Sequence, residues 1–177
     1  KAESLSVLGE LSAPLGVFAV TGNHEYQAGA TDEVVAVLEA HGIEVLKNES
    51  IALEHNQQEF ILAGISDIWF DGNMSRTVHG LESDQIVILL SHNPDAVLYT
   101  GANVVDLIVS GHTHGGQIRL PFIGSVPQIP NQLGRAYDRD VRAYGNQQIF
   151  VTSGVGESGS RARLFNPPEM AILTIEF

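Results

Sequence analysis

Cysteine, long apolar runs and basic side chains are scarce or absent in this sequence. The 177 residues include no cysteine, which excludes disulfides and leaves His, Asn, Asp and Glu as the side chains available to a metal ion. No run approaches the roughly 20 apolar residues of a membrane span, and the N-terminus lacks the basic-then-apolar pattern of a secretory signal. Lys and Arg number 9 against 21 Asp and Glu, for a net charge of −12. Because nucleic-acid affinity depends on Lys and Arg replacing counterions, this balance argues against a nucleic-acid partner.

What remains is the composition of an ordinary globular protein. Hydrophobic residues make up 44% and charged residues 17% of the chain, as in typical folded domains. The length predicts a single domain over residues 1–177 with a sizeable core. The lack of cysteine fits a reducing compartment, and the sequence leaves localisation open between cytoplasmic and membrane-associated.

Residues 111–117 (GHTHGGQ) follow an apolar, β-branched run at 104–109. This pattern predicts a buried strand that leads into a tight, glycine-rich loop. If His112 and His114 stay extended, both rings point to the same side of the strand, where each can face a metal ion. Taken alone, the pair is equally typical of a surface loop with two hydrogen-bonding histidines.

Two further apolar runs end in loops that carry histidine. Residues 16–21 lead into Gly22-Asn23-His24-Glu25, and residues 85–90 lead into Ser91-His92-Asn93-Pro94. The carbonyl oxygen of an Asn side chain can ligate a divalent cation. Because sites form at the carboxyl ends of strands in α/β sheets, three such loops predict one shared site.

The remaining segments predict further elements of an α/β protein. Residues 31–40 predict an amphipathic helix with Thr31 as its N-cap and Gly42 as its stop. Residues 1–12 predict a weak helix. The alternating residues 170–177 are expected to close a sheet edge. Other short strands are predicted at 43–46, 50–53, 59–65, 117–120 and 148–152.

Three other features admit more than one interpretation. Trp69 and Phe70 either anchor a loop or form an apolar lip for a substrate's acyl or ring portion. The glycine-rich run 153–160 lacks the Gly-Lys-Ser/Thr of a P-loop. Arg161 and Arg163 are either surface residues, the commoner role of arginine, or phosphate contacts. The remaining histidines are interpreted as surface residues: His41, His55 and His79.

The three histidine loops together resemble the motifs of a known family. Gly22-Asn23-His24-Glu25, Ser91-His92-Asn93-Pro94 and Gly111-His112-Thr113-His114 are similar, in order and spacing, to the later motifs of the calcineurin-like metallophosphoesterases. The likeness covers essentially the whole chain. The extended third motif, GHTHGGQIRLP at 111–121, resembles a bacterial, often membrane-anchored branch that includes hydrolases of the UDP-2,3-diacylglucosamine type.

The resemblance implies two adjacent divalent metal ions and a role for each loop. Asn23, His92 and His112 are expected to ligate one ion, and His114 the other. His24 is expected to bind no metal but to stabilise or protonate the leaving oxygen. Two such ions bridge phosphoryl oxygens and generate a hydroxide nucleophile. Nitrogen and oxygen ligands suit Mn, Fe, Zn or Mg without choosing among them.

The family's two opening motifs, Asp-x-His and a Gly-Asp motif whose Asp bridges both metals, do not occur in these residues. The resemblance therefore implies the C-terminal portion of a four-layer α/β/β/α sandwich that lacks its N-terminal strands. Ligands remain for about one ion and a fraction of the second. An open sheet edge is expected to invite self-association, and any membrane anchor is expected to lie in the missing N-terminal part.

Two functional classes follow from the resemblance. The first is a metal-dependent hydrolase of phosphodiesters, pyrophosphates or phosphomonoesters, acting on a small phosphorylated or lipid-phosphate substrate. The second is a catalytically impaired binding or scaffold module, because the Asp-x-His and Gly-Asp motifs are absent. The surviving set favours the hydrolase, since a scaffold has no need of a complete ligand face: Asn23, His24, His92, His112 and His114.

Overall fold

The computed structural model describes residues 2–101, 104–126, 128–159 and 161–176. The strands are β1 Val17–Ala19, β2 Ile43–Val45, β3 Glu49–His55, β4 Gln58–Ile65, β5 Val87–Ser91, β6 Leu107–Ser110, β7 Arg119–Leu120, β8 Gly124–Ser125, β9 Asp140–Tyr144 and β10 Gln147–Val151. The α-helices are α1 Asn23–Gln27, α2 Thr31–Ala40 and α3 Met74–Thr77. Short 3₁₀-helices span Ala2–Glu10, Pro94–Tyr99, His114–Gly116 and Arg135–Tyr137.

A six-stranded mixed sheet forms the centre of the molecule, in the order β3-β4-β5-β6-β10-β9. The four inner strands are parallel, and an antiparallel strand closes each side. Ile65 pairs with Ser91 and Ser110 pairs with Val151, so the carboxyl ends of the inner strands are level. The loops that follow β4, β5, β6 and β10 therefore meet at one edge of the sheet.

Both faces of this sheet are apolar, as expected for buried parallel strands. One face is packed against α3 and the 94–99 helix, and its centre includes the fully buried Leu89, Ile108 and Ile149. The other face carries Phe60, Leu62 and Ile88 and contacts Phe18 and Leu46. Through this second contact, the small parallel sheet β1-β2 and its helix α2 are fixed beside the large sheet.

The mixed α/β class predicted from the sequence is confirmed, and helix α2 spans the predicted residues 31–40. Thr31 as N-cap was wrong: Ala30 occupies the cap, and Thr31 begins the helix. The strand predicted at 170–177 was also wrong for its described residues, because 170–176 have no regular structure and pair with no strand. The four-layer arrangement and the missing N-terminal strands stay predictions.

Helices within the described part of the chain are all too short or too polar to cross a lipid bilayer.

Candidate metal centre

The loops after three strands bring the predicted site residues to one edge of the fold. Asn23 is the first residue of α1, shortly after β1. His92 directly follows β5, and His112 lies two residues after β6. Asn23 and His112 are buried and His92 is half-buried. Side chains from both sheets therefore share one site, as the sequence predicted.

Three ligand-type atoms converge at this point. The Nε2 atom of His92 lies 3.0 Å from Oδ1 of Asn23 and 3.0 Å from Nδ1 of His112. The two imidazole rings have centroids 4.8 Å apart and planes at 72°. Neighbouring donors of an octahedral ion, each about 2.1 Å from it, lie about 3.0 Å apart. The donor set and its spacing therefore fit a divalent cation.

The other ring nitrogen of His112 fixes which nitrogen faces the site. Nε2 of His112 lies 2.8 Å from the carbonyl oxygen of Pro130. A carbonyl only accepts hydrogen bonds, so Nε2 carries the proton and Nδ1 keeps its lone pair. A hydrogen bond of this kind on the far nitrogen is the usual way in which proteins orient a metal-binding histidine.

Burial keeps both imidazoles neutral. The pKa of His92 is lowered from 6.5 to about 4, chiefly by desolvation and also by the neighbouring His112, His114 and His24. The pKa of His112 is also lowered, first by burial, against the opposing effects of the Pro130 hydrogen bond and of Asp95. Neutral imidazole is the form that binds metal.

The backbone of residues 111–117 is not extended. The prediction that the His112 and His114 rings point to the same side depended on an extended backbone. His112 has φ of 67° and His114 has φ of 51°, in the left-handed region that L-residues seldom occupy. Nδ1 of His114 lies 3.1 Å from the carbonyl oxygen of Gly156. Strained backbone of this kind is common at binding sites.

Among the described residues, no cluster of three or more His, Cys, Asp or Glu side chains is arranged to hold a metal ion. The converging group contains only two side chains of these types, His92 and His112, and its third donor is the amide oxygen of Asn23. His114 lines the same cavity as His112. His24 is exposed and lines the same cavity.

A cavity of about 420 Å³ opens over these residues, with His24, His112 and His114 in its wall. Trp69 also lines it, meets the His112 ring edge-on at 4.7 Å and is 46% exposed. Phe70 instead stacks on Tyr26, with ring centroids 5.3 Å apart. The predicted aromatic segment thus lies at the site, where Trp69 presents an apolar surface to the cavity.

The sequence model of the calcineurin-like phosphoesterase family matches residues 3–116, which include all three histidine loops. The chain belongs to this family. It is 32% identical over 179 residues to the uncharacterized metallophosphoesterase YkuE of Bacillus subtilis, covering 97% of this chain and 60% of the relative. It is 34% identical over 184 residues to an uncharacterized metallophosphoesterase of Aquifex aeolicus, covering 96% and 64%. The phosphodiesterase YaeI of Escherichia coli is 32% identical over 171 residues, covering 96% and 62%.

The chain spans about three fifths of the length of these metallophosphoesterase relatives. No solved structure matches it. Membership of the calcineurin-like family supports a hydrolase of phosphoesters in general terms and implies divalent metal ions. The neutral, convergent donors of Asn23, His92 and His112 fit that implication.

Arg163 and Asp67 have roles near the candidate site that the sequence did not predict. The Arg163 guanidinium donates to the carbonyls of Ser153 and Gly154 and to that of Gly156, the residue that also contacts His114. It therefore fixes the glycine-rich run. No local pattern signals that role, because the acceptors are backbone carbonyls 7 to 10 positions earlier in the chain.

Asp67 is the other unpredicted residue, at the carboxyl end of β4. Its carboxylate is buried and accepts a hydrogen bond from the backbone N–H of Trp69 at 3.0 Å. Burial raises the pKa of Asp67, partly opposed by that hydrogen bond. The only sequence signal was an Asp after an apolar strand, in a loop that contains no histidine.

Proposed function

We propose that this protein is a metal-dependent phosphoester hydrolase. The observation that carries the proposal is the position of His92 Nε2, 3.0 Å from both the Asn23 oxygen and the His112 nitrogen. In this proposal Asn23, His92 and His112 hold one divalent ion. His114, on the rim of the same cavity, contributes to a second.

Bound divalent ions would supply Lewis-acid activation of the phosphoryl group and a hydroxide nucleophile near neutral pH. The protein's own residues prepare the site for that chemistry. Pro130 holds His112 with its Nδ1 lone pair toward the donors. His24 is exposed at the cavity wall, where an imidazole can donate a proton to the departing oxygen.

The test is hydrolysis of bis-(4-nitrophenyl) phosphate by the full-length protein, stripped with EDTA and reloaded with Mn²⁺. We expect His112→Ala to lower the metal-stimulated kcat/KM by about 10³-fold or more, since it removes a ligand. His79→Ala, an exposed histidine outside the site, is the matched control and should retain activity. Metal-stimulated turnover that survives His112→Ala would overturn the assignment. Metal binding without turnover in the folded protein would favour the binding-module alternative.

The cavity wall favours a phosphorylated substrate with an apolar portion, such as a lipid phosphate. Trp69 exposes nearly half of its surface beside His112, and large apolar side chains at a site commonly bind apolar ligand groups. We expect Trp69→Ala to raise KM for an aryl phosphodiester several-fold and to leave KM for a methyl analogue unchanged. Equal effects on both substrates would contradict the lip.

A further inference from the structure

We propose that Asp95 is a positioning residue that fixes the orientation of His112 through the backbone of residues 130–133. The inference rests on the proposed role of His112 as a ligand. Asp95 itself does not reach the site. It acts on the segment whose Pro130 carbonyl holds the His112 ring.

Asp95 is completely buried, with 0% of its surface exposed. Its two carboxylate oxygens lie 2.9 and 2.8 Å from the backbone nitrogen of Gln132, and Oδ1 lies 3.3 Å from that of Leu133. A buried carboxylate is costly unless hydrogen bonds compensate it, and here the compensating donors all belong to one loop. The carboxylate is therefore a clamp on that loop.

The loop held by Asp95 makes no hydrogen bonds of a helix or sheet. Residues 128–134 belong to no helix or strand, so side chains rather than a sheet determine where the Pro130 carbonyl lies. That carbonyl is 2.8 Å from Nε2 of His112. Since Gln132 is two residues further along the chain, a shift of the clamp moves the acceptor that sets the tautomer of His112.

The turn that carries Asp95 also carries His92. Asn93 fixes this turn through two hydrogen bonds. Its side-chain oxygen accepts from the backbone N–H of Asp95 at 3.0 Å, and its backbone carbonyl accepts from the hydroxyl of Ser91 at 2.9 Å. One five-residue turn after β5 thus presents His92 directly and positions His112 indirectly. This coupling distinguishes Asp95 from a residue that only stabilises the fold.

The experiment replaces Asp95 with its isostere in the full-length protein. In Asp95→Asn one of the two oxygens that accept from the Gln132 N–H becomes an NH₂ donor facing that N–H, so the clamp is weakened at nearly constant volume. The tautomer of His112 is read from long-range ¹H–¹⁵N correlations of ¹⁵N-histidine-labelled, metal-free protein. We expect a single Nε2–H form in the unmodified protein and a mixture of both tautomers in Asp95→Asn. We also expect Mn²⁺ affinity to fall about 10- to 100-fold.

Asp106→Asn is the matched control. Asp106 also accepts a backbone N–H, that of Val87 at 2.8 Å, but at the opposite end of the parallel strands. It should leave both the tautomer and the Mn²⁺ affinity unchanged. A folded Asp95→Asn protein with an unaltered His112 tautomer and unaltered Mn²⁺ affinity overturns the proposal.

A second measurement needs no variant. In the unmodified protein, hydrogen exchange of the Gln132 amide should be slow, because the clamp holds it. Fast exchange at Gln132 together with a single His112 tautomer also overturns the proposal. This second measurement can be made even if Asp95→Asn does not fold. Absence of phosphodiester turnover would count against the proposed function alone, since the tautomer is measured without metal or substrate.

Discussion

At the scale of single residues, Gly22 shows how closely the backbone approaches the site. A Cβ atom added there would lie 2.7 Å from Cγ and Cδ2 of the His92 ring, a contact that side chains do not tolerate. The backbone of Gly22 has φ of −116°, which any residue can adopt. Glycine is therefore needed at this position for space and not for conformation.

Gly22→Ala should consequently displace the His92 ring and weaken metal binding with little loss of stability. We expect Mn²⁺ affinity, measured by calorimetry, to fall at least tenfold, and the melting temperature of the metal-free protein to change by no more than about 2 °C.

Gly64→Ala is the opposite case and serves as a contrast. Its Cβ would lie 2.2 Å from Cβ of Leu46 in the core between the two sheets. Overpacking of this kind typically costs about 1–3 kcal/mol, so its melting temperature should fall more than that of Gly22→Ala. If Gly22→Ala also lost stability while keeping metal affinity, the steric argument would be wrong.

The buried His92 gives the metal-free protein a pH-dependent stability. Its pKa is about 4 in the folded protein, against 6.5 for the free side chain. Between pH 6.5 and 4, His92 is protonated in the unfolded chain and neutral in the folded protein. The free energy of unfolding therefore falls as pH decreases from 6.5 toward 4. The slope should not exceed about 1.4 kcal/mol per pH unit for this group.

Urea denaturation of the EDTA-treated protein at pH 7.0, 6.0 and 5.0 measures this slope. His92→Gln should flatten it, and His79→Gln at an exposed position should not. An identical slope in His92→Gln and the unmodified protein would contradict a buried, neutral His92.

The apolar runs before Asn23, His92 and His112 were enough to predict that these three side chains lie close together. The residues that orient them were out of reach of the same reasoning. Asp95 contacts Gln132, 37 positions away, and His112 contacts Pro130, 18 positions away. Such contacts depend on how loops fold back over the sheet edge, which no local pattern records.

At the scale of elements, the β7-β8 hairpin is joined to the histidine loop by one side chain. Arg119 of β7 donates to the carbonyl of Gly115 at 2.8 Å and forms an ion pair with Asp138. Both charged side chains are mostly buried. Asp138 in turn accepts from the Thr113 hydroxyl through its backbone carbonyl, so the pair braces the loop between His112 and His114.

Arg119→Met should therefore be strongly destabilising, because it leaves the Asp138 carboxylate buried without its partner. Losses of about 3–5 kcal/mol are typical for such broken pairs. Arg142→Met is the control, since Arg142 is half exposed and pairs with Asp140 at 3.7 Å; exposed pairs contribute about 0–1 kcal/mol. Equal losses for the two variants, by urea denaturation, would refute a special role for Arg119.

Elements also differ in how far local sequence determines them. Helix α2 was predicted over its full length because its apolar spacing and its stop at Gly42 are contained in the segment itself. Residues 170–176 alternate as a strand does, yet a strand needs a hydrogen-bonded neighbour and the described residues offer none. Their Met170 and Ile172 side chains are almost fully exposed.

At the scale of the whole molecule, the candidate metal centre lies between the large sheet and the small sheet β1-β2. Asn23 follows a strand of the small sheet, and His92 and His112 follow strands of the large one. A bound ion would cross-link them, and a ligand that binds only the folded state stabilises it by mass action.

Saturating Mn²⁺ should accordingly raise the melting temperature of the EDTA-treated protein, by an amount equivalent to about 2.7 kcal/mol at a hundredfold excess over Kd. His92→Ala should abolish the shift, and His55→Ala, at the exposed end of β3, should preserve it. A full shift in His92→Ala would show that the ion binds elsewhere.

The two ends of the chain contribute differently to the site. The converging donors fall within residues 3–116, the span that the family model matches, whereas Gln128, Pro130 and Ser158 on the outer cavity wall come from beyond it. Mutations of Gln128 or Ser158 would reshape the entrance without changing a donor, whereas Pro130 also holds the His112 ring. New substrate preferences can therefore arise from a few entrance positions, with the donors themselves unchanged.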